Sequence, residues 1–248
     1  MLAPVLPVLL VVVWYLASRD STPSSAYPYP AAIVRSGLRL LTDGELLQAL
    51  ATSLIRVLLG FGIALGLGLG LSLLMGRLRV VREMFDPLIE SVRPIAPIAL
   101  VPLAILWLGT GNASAVSIIA YAAFFPIVLN VTAAVRDLDP SLVDVARTFG
   151  VSELTILRQV VLPGVLPGVV VGARLGMGLG WASVIAAELA VGSDVSASVG
   201  IGQLMLTFYQ YDADPNPIVV CMIAVGLLGF ALDMLMRQTG RALAPWHR

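Results

Sequence analysis

The chain has no lysine, one cysteine and one histidine in 248 residues, and each shortage removes a class of function. Cys221 alone cannot form an internal disulfide, and no Cys/His grouping is available to hold a metal. His247 is the penultimate residue, which leaves little for histidine-based catalysis. Charge is scarcer still. Only 12% of the residues are charged, against about 25% in an ordinary soluble domain, too few to cover a surface facing water. The 15 basic residues, all arginine, are cancelled by 15 acidic ones, so no basic stripe is available for a nucleic acid. What is abundant is apolar: 58% of the chain is hydrophobic and its mean hydropathy is +0.95. These proportions identify an integral membrane protein.

A spanning helix needs about 20 mostly apolar residues. Six mostly apolar stretches qualify: near 2–17, near 55–75, two between Pro94 and Val135 with a break at Gly109–Asn112, about 164–191 and about 216–236. The first competes with a signal peptide, but it lacks the positive leading region and a clear small-residue cleavage site, and is read as an uncleaved span. Arginine placement sets the orientation. Ten arginines fall in the 76–93 loop, the 136–162 loop and the tail, against three in the 18–52 loop. The first group is therefore expected in the cytoplasm, together with both termini. A single transmembrane domain is expected over 1–248. It comprises a first span and outer loop (1–52), core spans (53–236), an inner loop (136–163) and a tail (237–248). The 31–52 stretch suits short interfacial helices.

Glycine is spaced with a period of four. Gly62, Gly66 and Gly70 recur in the second span, and Gly164, Gly168, Gly172, Gly176 and Gly180 open the fifth. Such rows let another backbone approach closely, either as packing within the chain or as a face that slides or dimerises. Pro94, Pro97, Pro102 and Pro126 interrupt or bend the third and fourth spans. Freed carbonyls at membrane depth are tolerated only against protein or a water-filled cavity, which points to a translocation path. Arg174 and Glu188 are ionisable groups at membrane depth. They are about 21 Å apart along one helix and so cannot pair within it. Glu188 is expected near the outer end as a solvated carboxylate, bonded to a neighbouring helix or serving as a gate. Arg174 is expected to snorkel or pack. Ser183 lies on the same span, and with Pro97 and Pro102 completes the candidates for a path.

The 136–163 segment reads RDLDPSLVDVARTFGVSELTILRQVVLP. Pro140 suits a first helical turn. Val143, Ala146, Arg147 and Gly150 follow at helical spacing, and Ser152, Glu153 and Thr155 open a second short helix. Gly150 falls at the turn, where a left-handed backbone or a close partner is easy to accommodate. The result is a helix–turn–helix hairpin, read either as a docking knob or as a helical loop on the membrane surface.

The spacing from Asp144 to Pro163 resembles the EAA loop of binding-protein-dependent ABC importer permeases, EAA-x3-G-x9-I-x-LP. Asp144, Val145 and Ala146 stand at the triplet, followed by Arg147, Gly150, Val151, Val160, Leu162 and Pro163. Asp for Glu, Val for Ala and Val for Ile are the departures. The stretches 91–111 and 162–189 and the closing APWHR resemble the nitrate/sulfonate/taurine/bicarbonate subgroup, so the likeness covers roughly 50–248. It implies an all-α type I permease with about six transmembrane helices and a cytoplasmic coupling-helix hairpin. It implies a homodimer of permease chains in the inner (cytoplasmic) membrane lipid, two ABC ATPase subunits docked on the hairpins, and a periplasmic or lipid-anchored binding protein that delivers solute. No GxxxxGK[ST] phosphate loop is present. ATP and Mg would therefore be bound by the partner ATPase and not by this chain, which is expected to be no enzyme and to work by alternating between two states.

A stand-alone secondary transporter or channel is the rival class, with Glu188 and Asp233 as its candidate coupling carboxylates. An intramembrane Ser–His enzyme is excluded, because Ser72, Ser114, Ser117 and Ser183 have no histidine within a span. Small oxyanions are the default solutes implied by the resemblance, while thiamine-precursor pyrimidines, aromatic carboxylates and riboflavin-like solutes use similar permeases.

Overall fold

The computed structural model describes residues 13–14, 28–191, 199–212 and 214–243, and apart from short connections these are helical. The expected first span near 2–17, apart from Val13 and Trp14, and the closing 244–248 lie outside the described residues. In chain order the helices are α1 Pro30–Thr42, α2 Glu45–Arg77, α3 Arg79–Val92, α4 Val101–Leu108, α5 Asn112–Asp137, α6 Pro140–Thr148, α7 Glu153–Ile156, α8 Leu162–Val191, α9 Ile201–Thr207 and α10 Pro215–Leu243. A 3-10 turn at Pro97–Leu100 enters α4, and π-helical turns at Leu157–Val161 and Phe208–Asp212 follow α7 and α9.

Among the described residues, four helical stretches are long and apolar enough to cross a membrane: α2, α5, the continuous Glu153–Val191 stretch and α10. A fifth crossing exists if α3 and the Pro97–Leu108 segment, bent by 95° to one another, are counted together. The all-helical membrane architecture therefore stands, but its third span is divided differently from expectation. The eight-residue α4 is too short to cross alone, and the inner 76–93 segment, where Asp86 and Glu90 four apart suit a solvated helix face, carries the helix α3. Pro94 and Pro97 account for the division, since a proline disfavours helix in the residue before it and cannot donate to the preceding turn. The expected break at Gly109–Asn112 is present. Gly109 and Gly111 both have positive φ, and α5 begins directly after them.

α5 is the central helix, packed along α2 on one side and α8 on the other. Its Ile119, Ala123, Ile127 and Val131 are fully buried in this seam. The α8 glycine row makes it possible. Gly164 faces Leu138, Gly168 faces Ala134, Gly172 faces Ile127, Gly176 faces the Ala123 carbonyl, and Gly180 faces Ile119. That face is thus packing within the chain. The Gly62, Gly66 and Gly70 row does not pack within the chain: nothing lies within 4 Å of where their side chains would be, and the α2 glycines against α5 are Gly60, Gly68 and Gly76. Two positions turn a helix by about 200°, so the regularly spaced row points away from the seam.

Candidate functional site

The hairpin forms as its residues dictate. The Asp139 carboxylate accepts the Ser141 amide at 2.9 Å, capping α6. The same bond holds the Asp139 carboxyl below the usual carboxylate range. Pro140 occupies the first turn. α6 closes when the Gly150 amide donates to the Arg147 carbonyl at 2.9 Å and the Val151 amide to the Ala146 carbonyl at 3.2 Å. This is a Schellman closure, whose C′ residue is left-handed, and Gly150 has φ 68°. Ser152 then caps α7 by accepting the Thr155 amide at 3.3 Å. Instead of ending as a separate short helix, α7 continues through the π turn into α8.

Charge ties the hairpin together. Arg147 donates through Nε to Glu153 at 2.9 Å, which raises the Arg147 guanidinium further above its already high range. Arg77, at the end of α2, donates to the Glu153 carbonyl at 3.3 Å. Asp144 and Arg147 line a groove of about 440 Å³ between hairpin and span ends, together with Arg77, Val135 and Val143. On its outer side the hairpin presents Leu142, Val145 and Phe149, the last 81% exposed. Val160 lies in the π turn and Leu162 and Pro163 begin α8, none of them lining the groove.

A second constellation lies at the far end of α8. Glu188 is 1% exposed and Arg56 4%, which overturns the expectation of a solvated carboxylate. Arg56 Nη1 donates to Glu188 Oε1 at 2.7 Å, and Ser53 Oγ lies 2.7 and 2.9 Å from the two carboxylate oxygens. The Gly202 amide donates to Oε2 at 2.9 Å, and the Ile201 amide to Ser53 Oγ at 2.9 Å. Arg56 Nε reaches Asn112 Oδ1 at 2.8 Å. One carboxylate thus joins α2, α8 and the start of α9, and through Arg56 the first residue of α5. A side chain at Gly200 would collide with the Glu188 carboxylate and Arg56. Sequence reading placed Arg56 at a span end and missed the pairing. The available signal was Ser53 and Arg56 three apart on one helical face.

Arg174 packs between two helices as one half of an ion pair. Its Nε and Nη2 meet the two Asp233 oxygens at 2.7 and 3.2 Å, and Arg237 reaches Asp233 at 3.2 Å. The pair bridges α8 and α10 beside Trp181 and Gly229. Asp233, considered alone as a coupling carboxylate, is therefore shared by two arginines. Ser183 is half-buried on α8. Pro97 and Pro102 lie in the first turns of the 3-10 segment and α4. The five path candidates are not brought to one place.

Residues 62–244 match the family described as binding-protein-dependent transport system inner membrane component. The chain is similar to the taurine transport system permease protein TauC of Escherichia coli, with 33% identity over 98% of this chain and 88% of that one. It is also similar to SsuC of Escherichia coli, named for aliphatic sulfonates transport, with 36% identity over 98% of this chain and 90% of that one. Its fold is similar to a chain of the inward-facing MetNI methionine ABC transporter. The TM-score is 0.63 at 21% identity, covering 83% of this chain and 97% of the other.

Proposed function

The chain belongs to the family of binding-protein-dependent transport system inner membrane components, and from that premise we propose that it moves a small oxyanion, of the sulfonate or taurine, nitrate or bicarbonate kind, into the cytoplasm. It is a membrane-spanning permease of the ABC importer type. Two copies form the pore, each hairpin at 136–163 receives one ATPase subunit on the cytoplasmic side, and a binding protein delivers solute to the outer face. ATP hydrolysis belongs to the ATPase pair, and the permease contributes conformational coupling between inward- and outward-open states.

The hairpin geometry supports this reading. A helix closed by a left-handed glycine, stitched by Arg147 and Arg77 to Glu153, presents an exposed Phe149 on a braced support. An apolar knob held in this way suits insertion into a groove of a partner. Gly150→Leu places a side chain where L-residues pay about 1–2 kcal/mol and enlarges the tip. In membranes carrying the complete transporter, that variant should remain inserted but lose solute uptake and the co-purifying ATPase. Unchanged uptake would sink the coupling assignment.

A further inference from the structure

The break between α3 and the Pro97–Leu108 segment does not lie at a membrane surface. Tyr121 stands nine residues into α5, about 14 Å along a helix of about 39 Å. Its hydroxyl lies 2.8 and 3.0 Å from the carbonyls of Val92 and Ile95, the two sides of the break. The irregular backbone at 93–96 is therefore level with the middle part of a spanning helix. Non-helical backbone at that depth is tolerated where it is buried in protein or lines a cavity, and a cavity is present. A groove of about 440 Å³ is lined by Arg93, Tyr121, Phe125, Asn130, Leu175 and Leu179, among others.

Arg93 is exposed in this groove, and no hydrogen bond or ion pair of its guanidinium is found among the described residues. The other arginines at span depth, Arg56 and Arg174, are held by carboxylates. Asn130 spends one amide N–H on the Pro126 carbonyl at 2.7 Å, and its second remains available to donate. The remaining wall is aromatic and aliphatic. A cation and an amide donor over an apolar wall complement a molecule with an anionic head and a short carbon chain.

We propose that this broken-span groove is the solute site of the permease: the oxyanion head meets Arg93 and the Asn130 amide, and the carbon chain lies against Phe125, Leu175 and Leu179. The assignment rests on the small-oxyanion importer reading and names its contacts. Arg93, counted by charge distribution among cytoplasmic arginines, is here a specificity residue within the membrane.

The test uses the complete transporter, with its ATPase and binding protein, in vesicles, following uptake of radiolabelled taurine, an alkanesulfonate, nitrate and bicarbonate alongside ATP hydrolysis. Arg93→Gln should lower uptake about tenfold or more, the scale of a lost charge-assisted hydrogen bond. ATP hydrolysis stimulated by the binding protein should stay within about twofold, because the hairpin is untouched, and Arg93→Lys should restore a substantial part of uptake because the charge returns. Uptake unchanged in Arg93→Gln overturns the site. So does a loss of hydrolysis together with uptake that Arg93→Lys fails to rescue, which would mark a structural role. Wild-type uptake that collapses in vesicles lacking anionic lipid, to the Arg93→Gln level, assigns the groove to a lipid headgroup instead. A wild-type complex that moves none of the four anions overturns the solute class itself, and its own rate distinguishes that failure from failure of the site.

Discussion

At the residue scale, Glu188 carries the densest set of bonds in the described chain. Three donors converge on one buried carboxylate, from Ser53, Arg56 and the Gly202 amide. Removing one member of such a pair leaves a charge buried without its counter-ion, at a cost of about 3–5 kcal/mol. Glu188→Leu and Arg56→Leu should each lower the thermal unfolding midpoint in detergent markedly. The double variant should recover part of that loss, because two apolar side chains leave no orphan charge. A double variant as unstable as the sum of the singles would show that the charges do not act as a pair. This pairing was beyond the reach of sequence reading for a physical reason. Its partners are 132 positions apart, and a contact of that separation leaves no periodicity on either helix. Glu188 was visible as an oddity in an apolar run, but its burial was not, since depth depends on α9 folding back over it.

At the element scale, the hairpin was legible almost residue by residue, because caps and turns are local. Asp139, Pro140, Gly150 and Ser152 each act within a few positions of themselves. The glycine rows show where local reading stops. Both obey the same four-residue rule, yet only the α8 row meets another helix, and which face of a helix is covered is decided by its neighbours. The two rows should therefore respond differently to alanine. Gly176→Ala puts a methyl group 2.8 Å from the Ala123 carbonyl and should cost about 1–3 kcal/mol through overpacking. Gly66→Ala has open space and should be neutral or slightly stabilising, as alanine favours helix by up to about 1 kcal/mol. Thermal midpoints of the two variants check this, and equal destabilisation would place a second chain against Gly66. The third span was misdivided because an apolar run reports burial in lipid but not direction. The 95° bend is made by prolines, whose effect on a helix axis depends on what supports the freed carbonyls, here the Tyr121 hydroxyl.

At the scale of the whole molecule, α5 is the most buried of the described spans, with half of its apolar stretch covered by its own chain. α8 and α10 leave long apolar faces uncovered, with Val171, Leu175 and Leu179 each about half exposed in one stripe. Lipid can cover such a stripe, but Leu175 and Leu179 also line the polar-mouthed groove beside Arg93, and a second copy of the chain would close that groove into a path. Leu175→Cys in a Cys221→Ala background should therefore give a cross-linked dimer on oxidation in native membranes. The background is clean because the remaining thiol would be the introduced one. Only monomer, from membranes in which the transporter is assembled, would turn this stripe toward lipid.

The unbroken helical stretch from Glu153 to Val191 has a mechanical consequence. The hairpin brace at Glu153 and the latch at Glu188 are two ends of one lever, about 50 Å apart at 1.5 Å per residue. A tilt of about 10° at the first end displaces the second by roughly 9 Å on that geometry. Such a displacement exceeds the reach of every bond that holds the 200–202 segment down. A rotation imposed at the hairpin would therefore be felt at the opposite end, and because the α8 glycine row is seated on α5, that helix would have to move with it.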